Sequence, residues 1–97
     1  MSLKTDDKLE ITELLSRYNL SMDRNDVGWW LDTWLDDGAL IADFGEAHGK
    51  KELENLMKRI KSDFASGKRH ITTNLIFGDN EKNCVGVISY LIVVDAK

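Results

Sequence analysis

Proline is absent from this 97-residue chain, cysteine occurs once, and no apolar run is long enough to cross a bilayer. Each scarcity excludes something. With Cys84 alone, no internal disulfide can form, and one thiol inside an apolar stretch suits a reducing, cytoplasmic setting. A small buried hydrophobe is the ordinary reading of such a cysteine. The longest nearly apolar run, Val85 to Val94, is interrupted by Gly86, Ser89 and Tyr90, so no membrane partner is expected. Met1 to Lys8 lacks the apolar core of a signal peptide. Paired cysteines, glycine-rich phosphate loops, HExxH and GxSxG are all missing, so neither a metal nor a nucleotide nor any other cofactor is indicated.

The side chains that are present describe a globular domain. Apolar residues make up 42% and charged residues 31%, which is well away from disordered composition. The formal net charge of −4 repels phosphate backbones, so nucleic acid is not expected as a partner. At this length one domain, residues 1–97, is expected, with a core that is either efficient or completed by a partner.

Periodicity gives the element order. Ile11, Leu14, Leu15, Tyr18 and Met22 form a helical stripe ending near Arg24, with Asp6 and Asp7 as candidate caps and Glu10 completing a capping box. Asn25 or Asp26 caps a shorter helix carrying Val27, Trp30, Leu31, Trp34 and Leu35, stopped by Asp36-Asp37-Gly38. Ala39 to Phe44 reads as a strand and Gly45 to Gly49 as a loop. Lys50 to Ala65 reads as a third helix closed by Ser66-Gly67. Arg69 to Phe77 and Cys84 to Val94 read as strands of an antiparallel hairpin, with a bulge at Gly86. Helices gathered ahead of a strand-rich C-terminal half give an α+β class, with helices on one face of a curved antiparallel sheet. A pocket is expected between the two layers.

Strand alternation sets His70, Thr72, Asn74 and Ile76 on one face and Ile71, Thr73, Leu75 and Phe77 on the other. The first set mixes polar and apolar groups, as a pocket lining does. His70 is the candidate general base, because imidazole titrates near neutral pH. Asp23 lies about 140° around the helix from Tyr18, and at a last helical turn it can swing inward to orient an imidazole. A tyrosine in an apolar stripe is ordinarily core. Trp29, Trp30 and Trp34 are ordinarily core too, although one of them can wall a site for a ring-shaped ligand. His48 reads as exposed, and the basic residues of the third helix read as a solvated face.

Taken together, Glu10-Ile-Thr-Glu-Leu-Leu-Ser-Arg-Tyr18, Asp23, Asp26-Val-Gly-Trp29, Trp34-Leu-Asp-Asp-Gly38, Gly49, Arg69-His-Ile-Thr-Thr-Asn74 and Ser89-Tyr90 resemble the SnoaL-like family of the nuclear transport factor 2-like superfamily. The resemblance covers nearly the whole chain. It implies a cone-shaped, cystatin-like α+β half-barrel with a deep apolar pocket, as in scytalone dehydratase, bile acid 7α-dehydratase, polyketide cyclases and the small subunits of ring-hydroxylating dioxygenases. It further implies Tyr18, Asp23 and His70 as catalytic residues, with Trp30, Trp34, Asn74 and Tyr90 touching a small hydrophobic or cyclic ligand. The implied activity is that of a lyase or isomerase, of dehydratase or cyclase type, acting on a cyclic ketone-bearing molecule. The other implied role is a binding or assembly module without catalysis. Such proteins usually continue with two or more further strands, whereas this chain stops at Lys97. An open sheet edge at Leu91-Ile-Val-Val94 then calls for a homodimer or larger homo-oligomer.

Overall fold

The computed structural model describes residues 2–63 and 67–95. Helix α1 (Thr5–Asp23) is followed by α2 (Val27–Asp32), β1 (Ala39–Ala42), β2 (Gly45–His48), α3 (Gly49–Asp63), β3 (Lys68–Phe77) and β4 (Val87–Asp95). The α+β class holds. Among the described residues the strands form two separate antiparallel pairs, β1 with β2 and β3 with β4.

The start of α1 differs from the expected capping box. Lys4 occupies the N-cap and gives no side-chain hydrogen bond, while Asp6 and Asp7 lie inside the first turn. There their charges still complement the positive end of the helix dipole. Helix α2 is capped by Asp26, whose Oδ1 accepts the Trp29 N–H at 3.0 Å. It ends at Asp32, ahead of Leu35, which is exposed. The loop expected at Gly45 to Gly49 is instead strand β2. Leu40 pairs with Ala47 and Ala42 with Gly45, so Asp43-Phe44 is a two-residue hairpin turn. Gly38 is required by crowding: a Cβ there would lie 2.8 Å from the Trp34 ring. The expected end of α3, with Phe64 on its apolar face and Ser66 in its cap, falls outside the described residues.

The core is small. Met22, Trp30, Ala47, Leu53, Leu56 and Met57 are buried, with Tyr18, Val27, Leu31, Trp34, Leu40 and Ile60 packed against them. It sits where α1, α2, α3 and the β1–β2 hairpin meet. Helix α1 also packs on β3, so it is shared between this core and the second sheet.

The β3–β4 pairing is regular from Lys68↔Asp95 to Thr73↔Tyr90 and resumes at Ile76↔Ile88. The irregularity lies on β3 rather than at Gly86. Asn74 adopts φ 59°, a left-handed conformation that asparagine tolerates better than most residues. Expected alternation is therefore lost beyond Thr73: Asn74 and Ile76 turn outward, while Leu75 and Phe77 turn inward. Cys84 is exposed, in a short polar turn, and not the buried hydrophobe expected. No described helix is long and apolar enough to cross a membrane.

Candidate functional site

The site begins at the end of α1. Asn25 takes a left-handed φ of 56°. Its N–H bonds to Met22 O at 3.0 Å, and the Asp26 N–H bonds to Ser21 O at 2.9 Å. This pair of bonds is a Schellman stop, which ends the helix sharply. It holds Asp23 as the last helical residue and leads directly into the Asp26 cap of α2.

A carboxylate at the negative end of a helix is locally unfavourable, and no basic residue occupies that last turn. Contacts from β3 offset the cost. The His70 backbone N–H donates to both Asp23 oxygens at 3.1 Å, and His70 Nδ1 lies 2.6 Å from Asp23 Oδ1. Both side chains are largely buried, with 16% of His70 and 8% of Asp23 exposed. A carboxylate only accepts, so in the neutral imidazole Nδ1 carries the proton and Nε2 keeps its lone pair.

One helical turn earlier, Asn19 repeats the connection. Its Nδ2 donates to Thr72 Oγ1 at 2.8 Å, and Asn19 is buried. Asn19 and Asp23 are four apart on α1, and His70 and Thr72 are two apart on β3. The two elements are thus joined by two polar rungs on matching faces. A groove of about 290 Å³ opens along this seam, with Leu15, Ser16, Asn19 and Leu20 on one wall and His70, Thr72 and Leu75 among the lining of the other. Of the other polar lining residues, the Thr12 hydroxyl is returned to its own helix on Lys8 O at 2.8 Å and the Ser16 hydroxyl on Thr12 O at 3.2 Å. That leaves His70 and the Asn19–Thr72 pair as the polar groups that can meet a ligand there.

The other residues expected at the site lie elsewhere. Tyr18 makes no hydrogen bond to Asp23 or His70 among the described residues. It packs in a triangle of rings with Trp30 and Trp34, with centroids 5.6–5.9 Å apart. Burial pushes its phenol above the ordinary value; the nearby Trp30 indole N–H works the other way without reaching hydrogen-bond geometry. Trp30 is 1% exposed and belongs to the core, so it does not wall the groove. Trp34 completes the same triangle and is not part of the groove lining. Asn74 is exposed, its Oδ1 accepting from the Thr73 hydroxyl at 3.0 Å, because the bulge turns it out of the inner face. Tyr90 is 67% exposed and pairs with Thr73, three positions along from His70 and therefore on the opposite face of the sheet. Sequence reasoning missed Asn19 as a site residue. Its i, i+4 relation to Asp23 was the available signal. Among the described residues, no group of three or more His, Cys, Asp or Glu side chains could hold a metal.

Residues 4–96 match the family model described as a SnoaL-like domain. A structure of a protein of unknown function with a cystatin-like fold, from Nostoc punctiforme, is 41% identical; it matches over 99% of this chain and 71% of its own, with a TM-score of 0.89. A proposed aromatic ring hydroxylase from Novosphingobium aromaticivorans is 19% identical over 95% of this chain and 66% of its own, with a TM-score of 0.85. ActVI-ORFA from Streptomyces coelicolor is 16% identical over 89% of this chain and 66% of its own, with a TM-score of 0.78. These last two share the fold. No curated protein matches the chain.

Proposed function

The chain belongs to the SnoaL-like domain family, and on that premise we propose that it is a small-molecule lyase or isomerase in which His70 removes a proton adjacent to a ketone. The observation that carries this reading is the 2.6 Å contact between His70 Nδ1 and Asp23. It leaves Nε2 as the lone-pair nitrogen, fixes the ring, and places a negative charge where imidazolium would form. The base acts in a groove whose walls are mostly apolar, suited to a cyclic, hydrophobic substrate.

In this reading Thr72 takes the hydrogen-bonding role for which Tyr18 was the candidate. Its oxygen already accepts from Asn19, so its O–H is free to donate to the substrate carbonyl as charge builds there. It sits two residues from His70 on the same inner face. Tyr18, Trp30 and Trp34 then act from beneath, holding α1 against the core.

The second reading is a binding or assembly module without catalysis, which a groove open along the α1–β3 seam would also serve. One experiment separates the two. A bicyclic aromatic ketone such as tetralone is incubated with the protein in D2O, and loss of its α-proton signals is followed by proton NMR. Exchange above the buffer rate, abolished in His70→Ala and sharply reduced in Asp23→Asn, supports the enzyme. A His70→Ala variant that exchanges as fast as the parent chain refutes it.

A further inference from the structure

Helix α1 and strand β3 run in opposite directions along their contact. Asp23 stands on His70 and Asn19 on Thr72, and at the far end Lys8 Nζ lies 5.9 Å from the centre of the Phe77 ring. Four helical residues advance about 6 Å and two strand residues about 6.6 Å, so the rungs stay in step. The next rung on α1 falls at Leu15. On β3, strict alternation would set Asn74 opposite it. The bulge adds one residue to β3, and Leu75 takes the inward position instead. Leu15 and Leu75 are both half-buried and both line the groove.

The groove is therefore graded along its length. His70 comes first and the Thr72 hydroxyl second. Beyond Thr72 the Thr12 and Ser16 hydroxyls are held by their own helix, so Leu15 and Leu75 make an apolar end. In a ketone, the two carbons next to the carbonyl lie on opposite sides of the C=O axis. With the oxygen on the Thr72 O–H and one of these carbons at His70 Nε2, the other arm is directed toward Leu15 and Leu75. We infer that Leu15 and Leu75 are specificity-determining residues, which seat the bulky apolar arm of a ketone so that His70 takes the proton from the shorter arm. The inference rests on the proton-abstraction reading and adds a substrate class to it: ketones with one short enolisable arm and one apolar arm carrying about one ring.

His70 Nε2 takes the proton of the short arm, and the C–H electron pair becomes the C=C bond of the enolate. The charge passed to oxygen meets the Thr72 O–H, and in D2O a deuteron returns to the same carbon. Leu15 and Leu75 touch no reacting atom. Their contribution is to binding, because apolar surface on the bulky arm is buried between them only in this orientation. Reversed, the ketone would set that surface beside the Asp23–His70 pair. The groove, about 290 Å³, lies at the small end of ligand cavities, which begin near about 300 Å³, and a single ring on a short chain suits it.

The probe is 4-phenylbutan-2-one, whose methyl and methylene arms give separate proton signals. In D2O the parent chain is expected to exchange the methyl protons about tenfold faster than the methylene protons, per proton and above the buffer rate. Leu75→Ala raises the KM for this ketone about tenfold and leaves that for butan-2-one, too short to reach Leu75, unchanged. Leu75→Met keeps the parent value for both. Nuclear Overhauser contacts read the orientation in the parent chain, with no variant to fold: phenyl ring to the Leu15 and Leu75 methyls, ketone methyl to the His70 ring. Exchange that is lost in His70→Ala yet equal in the two arms, phenyl contacts at His70, or a Leu75→Ala effect shared by both ketones overturns the inference and leaves the proton-abstraction reading standing. Exchange of neither arm, with the expected contacts in place, defeats that reading and supports the seat for the bulky arm. A ketone that neither exchanges nor touches the groove overturns both.

Discussion

Removing the Asp23 carboxylate exposes how much the α1–β3 seam depends on it. In Asp23→Ala the His70 backbone N–H loses a partner at 3.1 Å and the ring Nδ1 loses one at 2.6 Å. Hydrogen bonds to a charged acceptor contribute about 1.5–3 kcal/mol each. Against that, water reaches a partly opened site, and removing an anion from the helix C-terminus returns about 0.3–1 kcal/mol. The expected net loss is about 2–4 kcal/mol, a large share of a stability of about 5–15 kcal/mol. For a domain of this size it lowers Tm by roughly 10–25 °C. Asp23→Asn keeps an acceptor oxygen and is expected to lose about half as much. Urea unfolding followed by tryptophan fluorescence measures both, because Trp30 and Trp34 sit in or against the core. An Asp23→Ala loss below about 0.5 kcal/mol, with an unchanged m value, would refute the reasoning.

Three further outcomes are expected. Tyr18→Phe removes a hydroxyl that has no hydrogen-bond partner among the described residues, so it costs under about 1 kcal/mol at neutral pH. Burial raises the phenol above its ordinary value of 10.0. Its neutral form thus favours the fold below that pH, and stability falls as pH rises through and beyond it; alkaline unfolding curves of Tyr18→Phe show a shallower fall. At the bulge, Asn74→Gly leaves stability within about 0.5 kcal/mol, whereas Asn74→Val forces a β-branched residue to a φ of 59° and costs about 1–3 kcal/mol by urea unfolding. Met57 is fully buried, so Met57→Ala costs about 2–5 kcal/mol in the same assay.

What the sequence made legible follows from how strong each local signal is. The α1 stripe and the β3–β4 pair rest on long periodic segments and form close to where periodicity puts them, although β4 starts at Val87 and not at Cys84; of the two candidate caps for α2, Asp26 is the one used. Strand β2 was hidden because Gly45-Glu46-Ala47-His48 has no β-branched residue, and its place is set by pairing with β1. The bulge was assigned to Gly86 because glycine is the usual marker. The chain instead uses Asn74, and that one residue reverses the facing of everything after Thr73 on β3. Asp23 could be put at the end of α1 from spacing alone, but its bonds to His70 depend on the Schellman stop at Asn25. Asn19 went unread because a polar residue in mid-helix usually faces solvent; only the packing of α1 on β3 buries it. Tyr18 followed its stripe into the aromatic core.

The most direct test of the account is the tautomer of His70, read from two-bond nitrogen–proton couplings in an imidazole-labelled sample at a pH of about 8, above the ordinary imidazole range. The account predicts a protonated Nδ1 held by Asp23 and an unprotonated Nε2 free to accept a proton. A His70 ring protonated at Nε2, with Nδ1 bare, would contradict it.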